Sequence, residues 1–102
     1  MKVEEILMKV HELKPGMQHV NMEVKVLNVS ELKQVVAGRG ITHEILEVEV
    51  GDETGSIMLV LWDEKVIPLG AGDVLQIENG FVSSYRGNWR LNVGKFGKLT
   101  RR

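Results

Sequence analysis

The 102-residue sequence contains no cysteine, which rules out a disulfide framework and thiolate metal ligands and makes a cytoplasmic location natural. It has no apolar run near the ~20 residues needed to cross a bilayer, so no membrane partner is expected. Residues Met1 to Val10 carry Glu4, Glu5 and Lys9 inside their apolar stretch and do not read as a signal peptide. The three histidines, His11, His19 and His43, show no ligand spacing. No nucleophile–base pair is evident, and Gly38-Arg39-Gly40 is too little for a phosphate loop. The chain is therefore read as a binding protein without catalytic residues, metal or cofactor, and not as an enzyme. Aromatic residues are also scarce, at 5%.

What is present describes one domain spanning 1–102. Apolar residues make up 43% and charged residues 26%, ordinary values for a globular chain, and no repeat, linker or low-complexity tract divides it. The net charge of −1 conceals an asymmetry. Residues 1–78 hold seven Lys/Arg against all fourteen Asp/Glu, whereas residues 79–102 hold six Lys/Arg and no acid. A polyanion responds to the local field rather than to the total, although a basic end can also serve solubility alone.

Apolar residues at 3, 6, 7 and 10 have helical spacing, which predicts a short N-terminal helical segment ended by Pro15-Gly16. Val20, Met22, Val24 and Val26 alternate with polar residues and predict a first strand; Leu46, Val48 and Val50 predict a second. A tight turn over Gly51–Gly55 leads into a third strand, Ile57 to Trp62. After a segment with room for one helical turn, Asp63 to Leu69, a fourth strand runs from Val74 to Tyr85 and a fifth begins at Trp89. Gly87-Asn88 fits a two-residue hairpin loop between them. Five short strands with an insert after the third predict an all-β, five-stranded OB-fold Greek-key barrel, with an SH3-like barrel as the structural alternative.

All five aromatic residues, Trp62, Phe81, Tyr85, Trp89 and Phe96, lie in the second half of the chain. Ile57, Leu59 and Leu61 belong to one face of the third strand, so Trp62 points the other way. With a loop at Gly87-Asn88, Tyr85 pairs with Arg90, Ser83 with Asn92 and Val82 with Val93. One face then holds Phe81, Ser83, Tyr85, Arg90 and Asn92, and the core face holds Val82, Leu91 and Val93. The exposed set suits base stacking with flanking phosphate donors. The bland reading of each ring, as an ordinary core residue, stands beside this one. Gly80 is a candidate bulge site that would alter the faces. Trp89 falls on the core face with a structural or rim role, and the direction of Phe96 is not legible. Arg86 at the hairpin tip and Arg39 in the loop after the first strand are placed to meet phosphates. Lys33 reads as an ordinary solvated charge.

Leu13-Lys14-Pro15-Gly16-Met17, Val20-Asn21 and Val24-Lys25-Val26-Leu27, in that order, resemble the opening of the simple archaeal single-stranded DNA-binding proteins. Val50-Gly51-Asp52-Glu53-Thr54-Gly55 with Leu59-Val60-Leu61-Trp62 continues the likeness, as do Ile77-Glu78-Asn79-Gly80-Phe81, Arg86-Gly87 and Leu91-Asn92-Val93-Gly94. Human proteins of the sensor-of-single-stranded-DNA complex share the plan. The resemblance covers residues 12–95. It implies an OB domain that stacks bases on Trp62, Phe81 and Tyr85 with little sequence preference, protecting single-stranded DNA in replication, recombination or repair. It also implies replication or repair proteins as partners, a nucleoid-associated location, and a monomer or weak oligomer. Some human relatives have an aromatic at the position of Asn92, where this chain offers only hydrogen bonding. Crenarchaeal members add a Gly- and Arg-rich tail with an acidic end, whereas this sequence ends at Arg101-Arg102, which leaves recruitment through such a tail in doubt. An RNA-binding OB domain and a protein–protein adaptor are the competing functions.

Overall fold

The computed structural model describes residues 7–102. Seven strands follow one another: β1 Val20–Val29, β2 Lys33–Ala37, β3 Ile41–Asp52, β4 Gly55–Trp62, β5 Val74–Tyr85, β6 Asn88–Val93 and β7 Lys98–Arg101. Val20, Met22, Val24 and Val26 of β1, Leu46, Val48 and Val50 of β3, and Leu59 and Leu61 of β4 all turn inward into one core. Leu75 and Ile77 of β5, and Leu91 and Val93 of β6, complete it. Period-two alternation of Val, Leu and Ile is what a sheet with one buried face requires. The sheet order β1-β3-β4-β6-β5, with β5 pairing back onto β1, closes the five predicted strands in a ring. Only the β4–β6 contact in this ring is parallel. This is the expected OB-fold arrangement.

Two strands were not anticipated. β2 pairs with the first residues of β3, Lys33 with Ile45 through Ala37 with Ile41, so the stretch read as a loop is a hairpin projecting from the ring. Its residues are mostly exposed and lack the alternation that marks a half-buried strand. β7 adds to the far edge of β5, and only Leu99 among its four residues is partly buried.

The expected N-terminal helix is corrected to a single 3-10 turn, Val10–Glu12, with Val3 to Ile6 of the original span lying outside the described residues. The turn needs no helical ladder because the β3–β4 turn supplies acceptors. Val10 N donates to Asp52 Oδ2 (2.9 Å) and His11 N to Thr54 Oγ1 (3.1 Å), while Val10 and Leu13 plug the core. Asp63–Lys65 forms another short 3-10 turn.

The decisive local feature is in β5. Leu75 and Ile77 point inward, and so do Gly80 and Val82, so the alternation changes parity between them. The β1–β5 register shifts at this place, from Met22 opposite Ile77 to Val20 opposite Gly80. The extra residue is Asn79, in the left-handed region with φ 57°. Its backbone N donates to Asn21 Oδ1 (3.0 Å) and its Nδ2 donates to the Phe96 carbonyl (3.1 Å). Its Oδ1 is 2.8 Å from His19 Nδ1. Gly80 suits the close packing here, since a Cβ would lie 3.1 Å from the Asn92 carbonyl and 3.2 Å from Ile77 Cγ2 and would crowd β6.

Asn79→Ala keeps the strained φ and loses the side-chain bonds, so urea unfolding is expected to show a loss of about 1–3 kcal/mol. Asn79→Gly, which removes the strain, should lose less. Equal stability of both variants and wild type would show that the bulge does not depend on this side chain.

Candidate nucleic-acid interface

Beyond the bulge the outward positions of β5 are Phe81, Ser83 and Tyr85. The β5–β6 turn is Arg86-Gly87, with φ of 51° and 80°, the positive pair of a type I′ turn. This corrects the expected Gly87-Asn88 loop. Tyr85 lies opposite Asn88, Ser83 opposite Arg90 and Phe81 opposite Asn92. Moving the turn by one residue moves each partner by two, so every side chain keeps its expected face. The error arose because Arg occupies a left-handed position that turn rules give to Asn or Gly.

The register assembles the outer face row by row. Glu47 of β3 lies beside Val60 of β4, Val60 beside Asn92 of β6, and Asn92 beside Phe81. In the next row Glu49, Met58, Arg90 and Ser83 lie side by side. Trp62 stands opposite Ile45. Gly94 leaves open ground beside Phe81, since a Cβ there would touch Phe81 Cε1 at 3.4 Å. Phe81 and Tyr85 are exposed, and Tyr85, at 65%, offers most of its ring to solvent. Trp62 is half-buried and meets the edge of His43 with ring centroids 6.0 Å apart at 78°. His43 Nδ1 is 2.8 Å from Asp63 Oδ2, and Glu44 N donates to Asp63 Oδ1 (3.0 Å). The hydrogen bond to His43 and then the Glu44 amide hold the Asp63 carboxyl below its ordinary 3.8. Asp63 thus fastens the end of β4 to β3 and holds the His43 ring that packs T-shaped on Trp62.

The polar residues divide into two groups. Arg86 remains at the tip with its guanidinium 5.3 Å from the Tyr85 ring centre, a cation–π contact beside an exposed ring. Arg90 instead reaches across β4 to Glu47, which also accepts a hydrogen bond from Lys33 Nζ at 2.8 Å. Val60, under this bridge, is only 5% exposed although it faces outward. Lys33, expected to be merely solvated, is therefore an ion-pair partner. Asn92 is also 5% exposed, and its amide is turned onto the strands beneath the face. Its Nδ2 donates to Ser83 Oγ (2.9 Å), Arg90 O (3.3 Å) and Phe81 O (3.4 Å). The Ser83 hydroxyl, once it accepts, still has its own proton to donate.

Arg39 is not part of this cluster. It occupies the tip of the β2–β3 hairpin, with φ 66°, roughly 15 Å along the strands from Ile45 and Trp62. Trp89 lies on the opposite face and is 49% exposed, at the rim beside Val10, Leu13 and Ile57. The rim role is the one it takes; the fully buried alternative is not observed.

The sequence pattern described as single-stranded DNA binding protein Ssb-like, OB fold, matches residues 13–101. The chain belongs to this family. It is 40% identical over 91 residues to the single-stranded DNA binding protein Ssb of Saccharolobus solfataricus, covering 89% of this chain and 61% of that protein. It thus spans about three-fifths of the length of this relative. Replication factor A of Methanothermobacter thermautotrophicus is 34% identical over 100 residues, 97% of this chain but 12% of that protein. In fold, the second OB-fold domain of replication protein A from Methanococcus maripaludis superposes with a TM-score of 0.78 at 21% identity, covering 93% of each chain.

In this member of the Ssb-like family, residues that sequence reasoning missed are those that brace the rings: His43, Asp63, Glu47 and Gly94. None carries a local signal, because each acts through a strand distant in sequence. The pairing with Glu47 is testable. Its carboxyl is held below the ordinary 4.5, first by the Lys33 hydrogen bond and then by Arg90, with partial burial opposing both. The folded state binds this proton more weakly than the unfolded chain does. The pairing therefore stabilises the fold above pH ~4.5, and this contribution fades as pH falls through the lowered value. Glu47→Gln should be less stable than wild type at pH 7, with the gap narrowing as pH falls below ~4.5 in urea melts. A gap independent of pH would show that the ion pairing contributes nothing.

Proposed function

We propose that this domain binds single-stranded DNA, non-catalytically and with little base preference, by stacking bases on Trp62, Phe81 and Tyr85. The observation that carries this reading is the exposure of Phe81 and Tyr85 on one sheet face, beyond a bulge that spends backbone strain to turn them outward. Stacking needs unpaired bases and tolerates any of them, at about 1–3 kcal/mol per base. The Ssb and replication factor A relatives support DNA as the ligand. Protection of exposed strands in replication, recombination or repair, with proteins of those processes as partners and a nucleoid-associated cytoplasmic location, belongs to the same reading.

Arg86 and the Ser83 hydroxyl are the phosphate donors nearest the rings, with Arg39 available to a strand that continues along the β2–β3 hairpin. Arg90 and Asn92 act chiefly from beneath. Arg90 neutralises a carboxylate that would otherwise repel the strand, and Asn92 holds the backbone under Phe81 and Ser83. With Arg90 engaged, Arg86 and Arg39 are the two cations this reading offers to phosphate, and each neutralised phosphate contributes about −0.7 to the slope of log K against log salt.

Tryptophan-fluorescence titrations with oligo-dT, oligo-rU and duplex DNA provide the test. Oligo-dT should bind more tightly than duplex, with a salt slope of about −1 to −2. Trp62→Ala should weaken binding by about 1–3 kcal/mol, and Trp89→Ala should leave it unchanged. Duplex affinity equal to that for the single strand would sink the proposal, and preference for oligo-rU would redirect it to RNA. A slope steeper than about −4 would mean that the basic C-terminal residues, rather than the rings, dominate.

A further inference from the structure

Phe96 has no role in the fold that explains its position. It is 84% exposed, the highest value among the exposed large apolar residues. It sits with Lys95 at the centre of a turn in which Gly97 N donates to Gly94 O (3.1 Å), so the turn lifts both side chains off the β6–β7 connection. The turn is clamped from below. A Cβ on Gly97 would come within 2.8 Å of Val93 Cγ1 and 3.2 Å of the Asn79 carbonyl, and the Asn79 amide holds the Phe96 carbonyl. An open cleft of about 360 Å³ runs alongside, lined by His19, Asn79, Phe81, Lys95 and Phe96 among others. Phe81 also belongs to the stacking face, so the cleft continues that face past Gly94. Lys95 Nζ is 5.8 Å from the Phe96 ring centre, and Lys95 makes no ion pair among the described residues. Because Asn79 Nδ2 donates to Phe96 O, its Oδ1 faces His19 and His19 Nδ1 is the donor there.

We propose that this cleft is a further nucleotide subsite, in which Phe96 stacks a base of the same strand and Lys95 meets the adjoining phosphate. The proposal rests on the single-strand reading of the neighbouring face. A rigidly presented, solvent-exposed ring beside an unpaired cation and a concave surface is what a single-strand path uses.

The test compares wild type, Phe96→Ala, Phe96→Trp and Tyr85→Ala on oligo-dT of about 4 and about 12 nucleotides, with a thermal melt of each variant. Phe96→Ala should weaken binding of the longer strand about tenfold while leaving the shorter within about twofold, and Phe96→Trp should restore it. Lys95→Ala should flatten the salt slope on the longer strand by about 0.7. Unchanged binding of the longer strand by Phe96→Ala, with Tyr85→Ala still impaired, overturns the subsite and leaves the face standing. Equal loss on both lengths with a lowered melting temperature also overturns it, in favour of a structural role. No loss in Phe96→Ala or Tyr85→Ala overturns both readings.

Discussion

Asn79 adds one residue to β5, and the direction of everything after it depends on that addition. Without the bulge, the parity that places Leu75 and Ile77 in the core would also place Phe81, Ser83 and Tyr85 there and turn Val82 out. The left-handed backbone is held by Asn21, His19 and Phe96, which belong to β1, the segment before it and the β6–β7 turn. A strained residue that three separate segments over-determine is the pattern expected where strain serves a site. The same side chain that turns Phe81 and Tyr85 outward also anchors the turn bearing Phe96, so the two ends of the face share one support.

Charge on this face is managed rather than accumulated. Glu47 lies among the rings' neighbours, yet Lys33 and Arg90 neutralise it and bridge β2, β3 and β6 across the top of Val60. The arrangement stiffens the sheet under the rings and leaves few cations free. On the proposed reading, such a surface would draw its affinity from stacking more than from counterion release. That is compatible with a net charge of −1, which would be a poor starting point for a purely electrostatic binder. Asn92 supplies the same bracing in neutral form, with one amide joining three groups of β5 and β6.

The ring of five strands was legible because each strand carries its own alternation of Val, Leu and Ile, a period set by the pleat and readable within half a dozen residues. The outward set Phe81, Ser83, Tyr85, Arg90 and Asn92 was legible for the same reason, counted back from the core residues Val82, Leu91 and Val93. It survived a misplaced turn because the resulting slip was even. β2, β7 and the 3-10 turn were not legible. β2 is exposed and held by backbone pairing and the Lys33–Glu47 ion pair, β7 has a single half-buried residue, and the turn at Val10–Glu12 replaces a helix because Asp52 and Thr54, some forty residues away, satisfy its amides. By itself, then, the sequence determined the fold class, the core and the face on which the rings stand, since these follow from local periodicity. Only the tertiary structure decided that Arg90 is engaged by Glu47, that the Asn92 amide is covered and bonded to β5 and β6, that Trp89 sits at a rim and that Phe96 stands free beside a cleft. Those outcomes depend on which strands lie side by side, and a chain closed into a ring brings together residues between which no local pattern runs.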